Sequence, residues 1–376
     1  MTIQGADRGG LFIRVIPPEI SGGFRFDVLP RDLSHLQLLE GVSECEALSR
    51  LRRLFSLCGI AQERIAIKAL EAAHGKGENN GCFDEEVFRE SLFESLRSLL
   101  LPLAGDPLLP MSSTASWQRL GLLGKKQNSN FLSDFRFFLE EDLLGEAPAI
   151  FLKRQTVQEW RNWLRNNKEK SPVAHRAEAF DSEGDIFLPR MSGLTLSDRR
   201  CADFVARALD DRTFLSAPHM NGDARETGSL SRIGDHSLVN DLWSAGFSRH
   251  ARLAARLLEL ASFSGQDNAR PFAEDDLGVL HSCRLGVGVG MAWGQTSRGL
   301  LVHRWDVQQG EVQDVRILAP TEWIFSPKGG PFSLWLAALG QRKKDLGSLR
   351  RLVVETLWLF DPCAPVGIVE APSSAG

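Results

Sequence analysis

Apolar positions recur at helical spacing through most of this chain. After Gly59, the run Ala61 to Ala73 is rich in helix formers, and Ile65, Ala69 and Ala72 make one stripe along it. Val87, Phe88, Leu92, Leu96 and Leu99 repeat in the same way. Asp84 is placed to cap their start, and Pro102, which lacks a backbone donor, stops them. Further helices are predicted from near Leu36 to Arg53, over Phe131 to Leu144, over Thr156 to Asn167, and from Leu196 to Leu209 with Ser197 or Asp198 near its start. The longest helical signal runs from about Ser237 to Leu260, and its second half spaces arginines along what reads as a surface. Asn166 to Glu183 is polar and reads as a surface connection.

Extended patterning is sparser. Leu11 to Val28 reads as short extended segments, broken at Pro17-Pro18 and Gly22-Gly23. From Gly286 the texture changes, and Gly299 to Val307 and Glu311 to Leu318 flank Gln308-Gln309-Gly310, a hairpin turn. Pro320 ends the second strand, Pro327 to Pro331 forms a loop, and a helix broken near Gly340 is expected from Phe332 towards Phe360. The predicted fold class is α+β, predominantly helical, with small peripheral sheets and no linker-separated domain.

Composition narrows the function classes. Forty-three per cent of the 376 residues are hydrophobic, so an ordered globular protein is expected. A formal charge of -4, from 44 basic and 48 acidic residues, gives no basic surface for nucleic acid. Arg pairs such as Arg52-Arg53 and Arg199-Arg200 read as solvated helix faces. No apolar run reaches the about 20 residues of a membrane span, and Met1 to Gly10 lacks a signal-peptide pattern, so the cytoplasm is the expected location.

Six cysteines stand at 45, 58, 82, 201, 283 and 363, with no CxxC pair. A disulfide framework, a zinc ribbon or a ferredoxin-like cluster is therefore not expected. A shared cysteine site would have to join distant parts of the chain. His281 and Cys283 are close enough for a metal pair, although two nearby ligands are a weak signal and a satisfied loop histidine is the preferred reading. Trp293 and Trp323 read as core anchors. Taken singly, Cys58 and Cys363 read as small buried apolar residues.

Their flanks change that reading. Arg53-Leu54-Phe55-Ser56-Leu57-Cys58-Gly59-Ile60-Ala61-Gln62 resembles the first metal-binding motif of [NiFe] hydrogenase large subunits, with Phe55 in place of the first cysteine and Gln62 in place of the histidine. Asp361-Pro362-Cys363-Ala364-Pro365-Val366-Gly367-Ile368-Val369 resembles the closing motif, with Val366 replacing the second cysteine and Val369 the histidine at which the enzymes are processed. Three internal runs resemble the same family in the expected order: Glu226 to Arg232, Gln295 to His303, and Ala319 to Trp323. Gln295 stands at a usual glutamate and Ile324 at a usual asparagine. The pattern looks like the HupK/HoxV-type hydrogenase expression or formation proteins more than an active large subunit.

The resemblance implies a [NiFe] hydrogenase large-subunit-like single body over residues 1–376, divergent near 105–195, with a short tail after about 369. It implies Cys58 at a bridging-thiolate position and Cys363 at a terminal one, with Arg298 and Thr321 as hydrogen-bond donors to diatomic ligands of an iron. Valine and phenylalanine supply no thiolate, so nickel and full turnover are not expected. A non-enzymatic scaffold or chaperone of hydrogenase maturation is the reading, with a transient iron-cyanide-carbonyl unit as cargo. The alternatives are a metal-free structural chaperone and residual redox chemistry at an altered site. Implied partners are the immature [NiFe] hydrogenase large subunit, a HypC-like chaperone and other maturation proteins.

Overall fold

The computed structural model describes residues 9–18, 23–55, 57–76, 79–103, 112–125, 130–178, 180, 190–194, 196, 199–220, 222, 225–265, 276–342 and 345–371. The described residues form a predominantly helical body with two sheets. Among the described residues, no helix is long and apolar enough to cross a membrane.

The first sheet joins the two ends of the chain. Its strands are β1 (Leu11–Ile16), β2 (Arg25–Leu29) and, from the far end, β8 (Val366–Glu370), in the order β2-β1-β8. β2 runs antiparallel to β1, with Leu29 opposite Phe12, and β8 runs parallel, with Val366 opposite Leu11. The end of β2 and the start of β8 therefore meet at the same end of β1. That register brings the residues after Leu29 beside those before Val366.

The second sheet is an antiparallel meander in the order β3 (Asn79–Phe83), β4 (Val279–Gly286), β5 (Val289–Thr296), β6 (Gly299–Gln308) and β7 (Glu311–Leu318). The predicted β6–β7 turn is present, with Gln309 and Gly310 both in the left-handed region (φ 55° and 81°), as a type I′ hairpin requires. β4 and β5 lie where the hydrophobic pattern gave no strand. Against this sheet packs the Gly59–Ala73 helix. Its small face permits a close approach, since a Cβ on Gly290 would stand 2.0 Å from the Ala69 carbonyl oxygen.

The helix Glu85–Leu100 forms as the pattern predicts. Asp84 accepts hydrogen bonds from the N–H groups of Glu86 and Val87 at 3.0 and 3.1 Å, and Val87, Phe88, Leu92, Leu96 and Leu99 are buried. Val157–Asn167 starts in a capping box made by Thr156 and Glu159. Pro331–Gly340 and Leu346–Phe360 replace the broken final helix, as expected.

Several expectations are corrected. The segment predicted from Leu36 to Arg53 is a 3-10 turn, Ser34–Leu39, and a helix, Glu44–Leu54, separated at Gly41 with φ 70°. Ser237 to Leu260 is likewise two helices, Ser237–Ser244 and Ser248–Ser262, divided at Gly246 with φ 86°. The second does not line its surface with arginines. Arg249, His250 and Arg252 are buried, because this helix runs through the main core and its guanidinium groups reach acceptors on other elements. Within Asn166 to Glu183, the helix Pro172–Glu178 buries Val173, Ala174 and Ala177, so that helix belongs to the core, while Asn166, Glu169 and Lys170 are exposed. A helix does span Arg199–Ala208, while Ser197 and Asp198 lie outside the described residues. His281 sits in β4 and stacks on Trp293 across the sheet, with ring centroids 5.4 Å apart and planes within 10°.

Candidate functional site

Two thiols far apart in the sequence, Cys58 and Cys363, come within electrostatic reach of each other. Cys58 is the N-cap of the Gly59–Ala73 helix, whose next free N–H groups, on Ile60 and Ala61, donate to the Glu90 carboxylate at 2.9 and 2.8 Å. Cys363 follows the Leu346–Phe360 helix after Asp361 and Pro362, just before β8. Each cysteine lies within electrostatic reach of the other, and Arg31 and Arg298 within reach of both.

Burial dominates at Cys58 and pushes its thiol up to about 12, reinforced by the neighbouring Cys363 and Glu90. The Gln62 amide and Arg298 pull the other way. Cys58 is thus a neutral thiol near neutral pH. Burial also raises the Glu90 carboxyl to about 7, against the two backbone N–H groups that favour its charge.

Cys363 is gripped from two sides. The Arg31 guanidinium donates to its sulfur at 3.2 Å, and the Thr321 hydroxyl lies 2.8 Å from the same sulfur. Thr321 Oγ1 also accepts the Cys363 backbone N–H at 3.1 Å. Thr321 is placed by a short helix, Pro320–Ile324, with proline at its first turn. The neighbouring Glu322 is buried, lies 3.4 Å from Arg31 Nε and accepts the Ala319 N–H at 3.0 Å. Burial raises the Glu322 carboxyl above the ordinary range, with Arg31 opposing. For Arg31, burial disfavours the charge, but Glu322 and Cys363 outweigh it and hold the pKa above the usual arginine value.

Arg298 comes from the tight turn between β5 and β6. Gly299, at φ 130°, lies against Thr227, whose hydroxyl accepts the Leu300 N–H at 2.9 Å. Gly228 packs on the Arg298 carbonyl, where a Cβ would stand 2.8 Å from the oxygen. The run Glu226 to Gly228 therefore braces the arginine's backbone. Its side chain donates to the Asp361 carbonyl at 3.1 Å, to Asp361 Oδ1 at 3.2 Å and to Glu94 at 3.5 Å. Arg256 donates to the other Asp361 oxygen at 3.1 Å. Asp361 is a non-glycine residue at φ 47°, and the two guanidinium groups hold it there, which sets the path of the chain into Cys363.

Thus Cys58, Cys363, Arg298 and Thr321, all singled out from the sequence, converge. Arg31, Glu322, Glu90 and the partner of Gln62 were missed. Arg31 had a signal only in retrospect, as the first charge after Pro30 beyond β2. Gln62 does more than pack: its amide nitrogen is 3.6 Å from Cys58 Sγ and its oxygen 2.7 Å from His303 Nε2. His281 and Cys283 lie away on β4, and among the described residues no group of three or more His, Cys, Asp or Glu could hold a metal ion. Among the described residues, no cysteine is in a disulfide.

The chain is similar to hydrogenase expression/formation proteins along most of its length. It is 29% identical over 370 residues to HoxV of Cupriavidus necator, covering 90% of each chain. It is 28% identical over 372 residues to HupK of Rhizobium leguminosarum bv. viciae, covering 89% of this chain and 88% of the relative. HupK of Bradyrhizobium diazoefficiens is 28% identical over 342 residues, with 87% of each chain covered. No protein-family model matches. Among solved structures, the Ni-Fe-Se hydrogenase from D. vulgaris Hildenborough in its oxidized state superposes with a TM-score of 0.52 at 13% identity, covering 94% of this chain and 98% of that one. The reduced state gives 0.51 at 14% identity, covering 92% and 94%. At such identities the likeness shows the fold.

Proposed function

We propose that this chain, homologous over nearly its whole length to the HupK/HoxV-type hydrogenase expression/formation proteins, is a non-catalytic scaffold of hydrogenase maturation that holds an iron-cyanide-carbonyl unit in passing. The observation that carries the second half is the meeting of Cys58 and Cys363 with two buried guanidinium groups, Arg31 and Arg298. Soft sulfur donors suit iron, and guanidinium N–H groups suit cyanide nitrogen.

The donor set fits a unit that brings its own diatomic ligands. Two sulfurs and three diatomics nearly fill an iron coordination sphere, whereas a bare ion would lack ligands. On binding, Cys58 gives up its proton, and the positive charge of Arg31 and Arg298 favours the thiolate that remains. Thr321 already orients the sulfur of Cys363. With only two protein anchors, the cargo is held less firmly than four thiolates would hold it. The recipient in this reading is the immature [NiFe] hydrogenase large subunit, and a HypC-like chaperone is the delivering partner. The shared large-subunit fold supports that role, since machinery that grips a large subunit meets the same backbone here.

The test is infrared spectroscopy on protein purified anaerobically from cells that contain the maturation machinery. Bands of iron-bound cyanide and carbon monoxide are expected, and Cys58→Ala or Cys363→Ala removes them. Intact bands in both variants would overturn the ligand assignment. One observation favours a second reading, a metal-free structural chaperone: Arg298 and Arg256 hold Asp361, and so the chain leading into Cys363, with protein groups alone. In that case the double-cysteine variant supports maturation undiminished.

A further inference from the structure

The Gly59–Ala73 helix and β6 share a buried polar line in an otherwise apolar interface. Gln62 and His303 are 1% and 0% exposed, and Trp305 is fully buried beside them. Trp305 Nε1 lies 3.3 Å from His303 Nδ1, His303 Nε2 lies 2.7 Å from Gln62 Oε1, and Gln62 Nε2 lies 3.6 Å from Cys58 Sγ.

The direction of this line follows from donor chemistry. An indole N–H can only donate, so His303 Nδ1 must be a bare acceptor. A buried imidazole is neutral here, since desolvation lowers its pKa to about 3, so its one hydrogen sits on Nε2. That hydrogen points to Gln62, which must answer with its carbonyl oxygen. The amide nitrogen is then left to face Cys58.

We propose that Trp305, His303 and Gln62 form a one-way hydrogen-bond chain that fixes the Gln62 amide N–H on the sulfur of Cys58, making Gln62 the positioning residue for that ligand. A sulfur that accepts such a bond shares electron density with the N–H and gives less to a bound metal. This part rests on the carrier reading, and it suits a ligand that must later let go. The chain itself does not rest on that reading, because it follows from the spacing and donor chemistry of these side chains.

The experiment is nitrogen NMR of the full-length, metal-free protein with labelled imidazole and side-chain amides. The expected wild-type result is His303 in its Nε2–H form, with a Gln62 amide resonance that moves in Cys58→Ala. In Trp305→Phe, which keeps an aromatic ring but removes the donor, the His303 tautomer becomes mixed. An Nδ1–H form in the wild type, or a Gln62 amide unmoved by Cys58→Ala, overturns the proposal. So does a tautomer unchanged in Trp305→Phe.

In loaded protein, Gln62→Leu leaves the carbonyl band present but at lower wavenumber, since the sulfur then donates more density to iron. A band at the wild-type position overturns the tuning role. Absence of any band in the wild type counts against the carrier reading alone, and leaves the tautomer result standing.

Discussion

Replacing Arg31 with methionine removes the cation that faces buried Glu322. The two side chains are 7% and 5% exposed and 3.4 Å apart, so neither is screened by water. Breaking a buried pair from one side leaves an uncompensated charge, which costs about 3–5 kcal/mol. The loss is predicted to depend on pH. Burial already raises the Glu322 pKa, and without Arg31 it rises further. A carboxyl whose folded pKa is raised contributes its full stability below the ordinary glutamate value and loses it as pH rises through the folded value. Arg31→Met is therefore expected to cost about 3–5 kcal/mol at pH 8 and clearly less at pH 5, where Glu322 takes up a proton. Adding Glu322→Gln keeps an acceptor for the Ala319 N–H and removes the stranded charge. That double variant is expected within about 1 kcal/mol of wild type. Equilibrium urea unfolding at both pH values measures all three. A loss below about 1 kcal/mol at pH 8, or no recovery in the double variant, would refute the reasoning.

Glu90 gives a second pH signature. Its folded pKa of about 7 lies above the ordinary 4.5, so the wild type loses stability between pH 5 and pH 8. Glu90→Gln is expected to flatten that slope by at most about 3 kcal/mol in urea unfolding, and an equal effect at both pH values would contradict the assignment. Gly299→Ala places a Cβ 2.1 Å from Thr227 Oγ1 at φ 130°, which breaks the Thr227–Leu300 hydrogen bond. A cost of about 1–3 kcal/mol is expected, read as a lowered Tm, and an unchanged Tm would show that the turn below Arg298 relaxes freely. Cys58→Ala and Cys363→Ala are each expected to abolish the infrared bands of loaded protein.

The elements legible in the sequence were those whose stabilisation is local. Asp84 and Thr156 announce their helices by side-chain caps, and Gln309-Gly310 announces its hairpin by backbone preference. What stayed hidden was decided at long range. β4 and β5 form because each has a partner on both sides and a helix above, not through period-two alternation. The arginines at 249, 252 and 256 have the spacing of a solvated face, and only the distant Phe180 carbonyl, Glu226 and Asp361 reveal that they turn inward. The site divided in the same way. Cys58, Cys363, Arg298 and Thr321 carry recognisable neighbours, whereas Arg31 reaches Cys363 only through the β2-β1-β8 register.

The same register explains what replaced the missing ligands. Phe55 ends the Glu44–Leu54 helix half-buried, its ring 6.1 Å from that of His35. Val366 opens β8 opposite Leu11 and packs with Ile368 against the main core, while Val369 pairs with Arg14. The positions where the motif resemblance implies two thiolates and a histidine are thus filled by apolar packing and strand pairing. β8 and the arginine clasp on Asp361 tie the two distant parts of the chain together through protein groups. Under the carrier proposal this is what release requires: the pocket keeps its shape when the cargo leaves, so handing over the iron unit does not cost the fold.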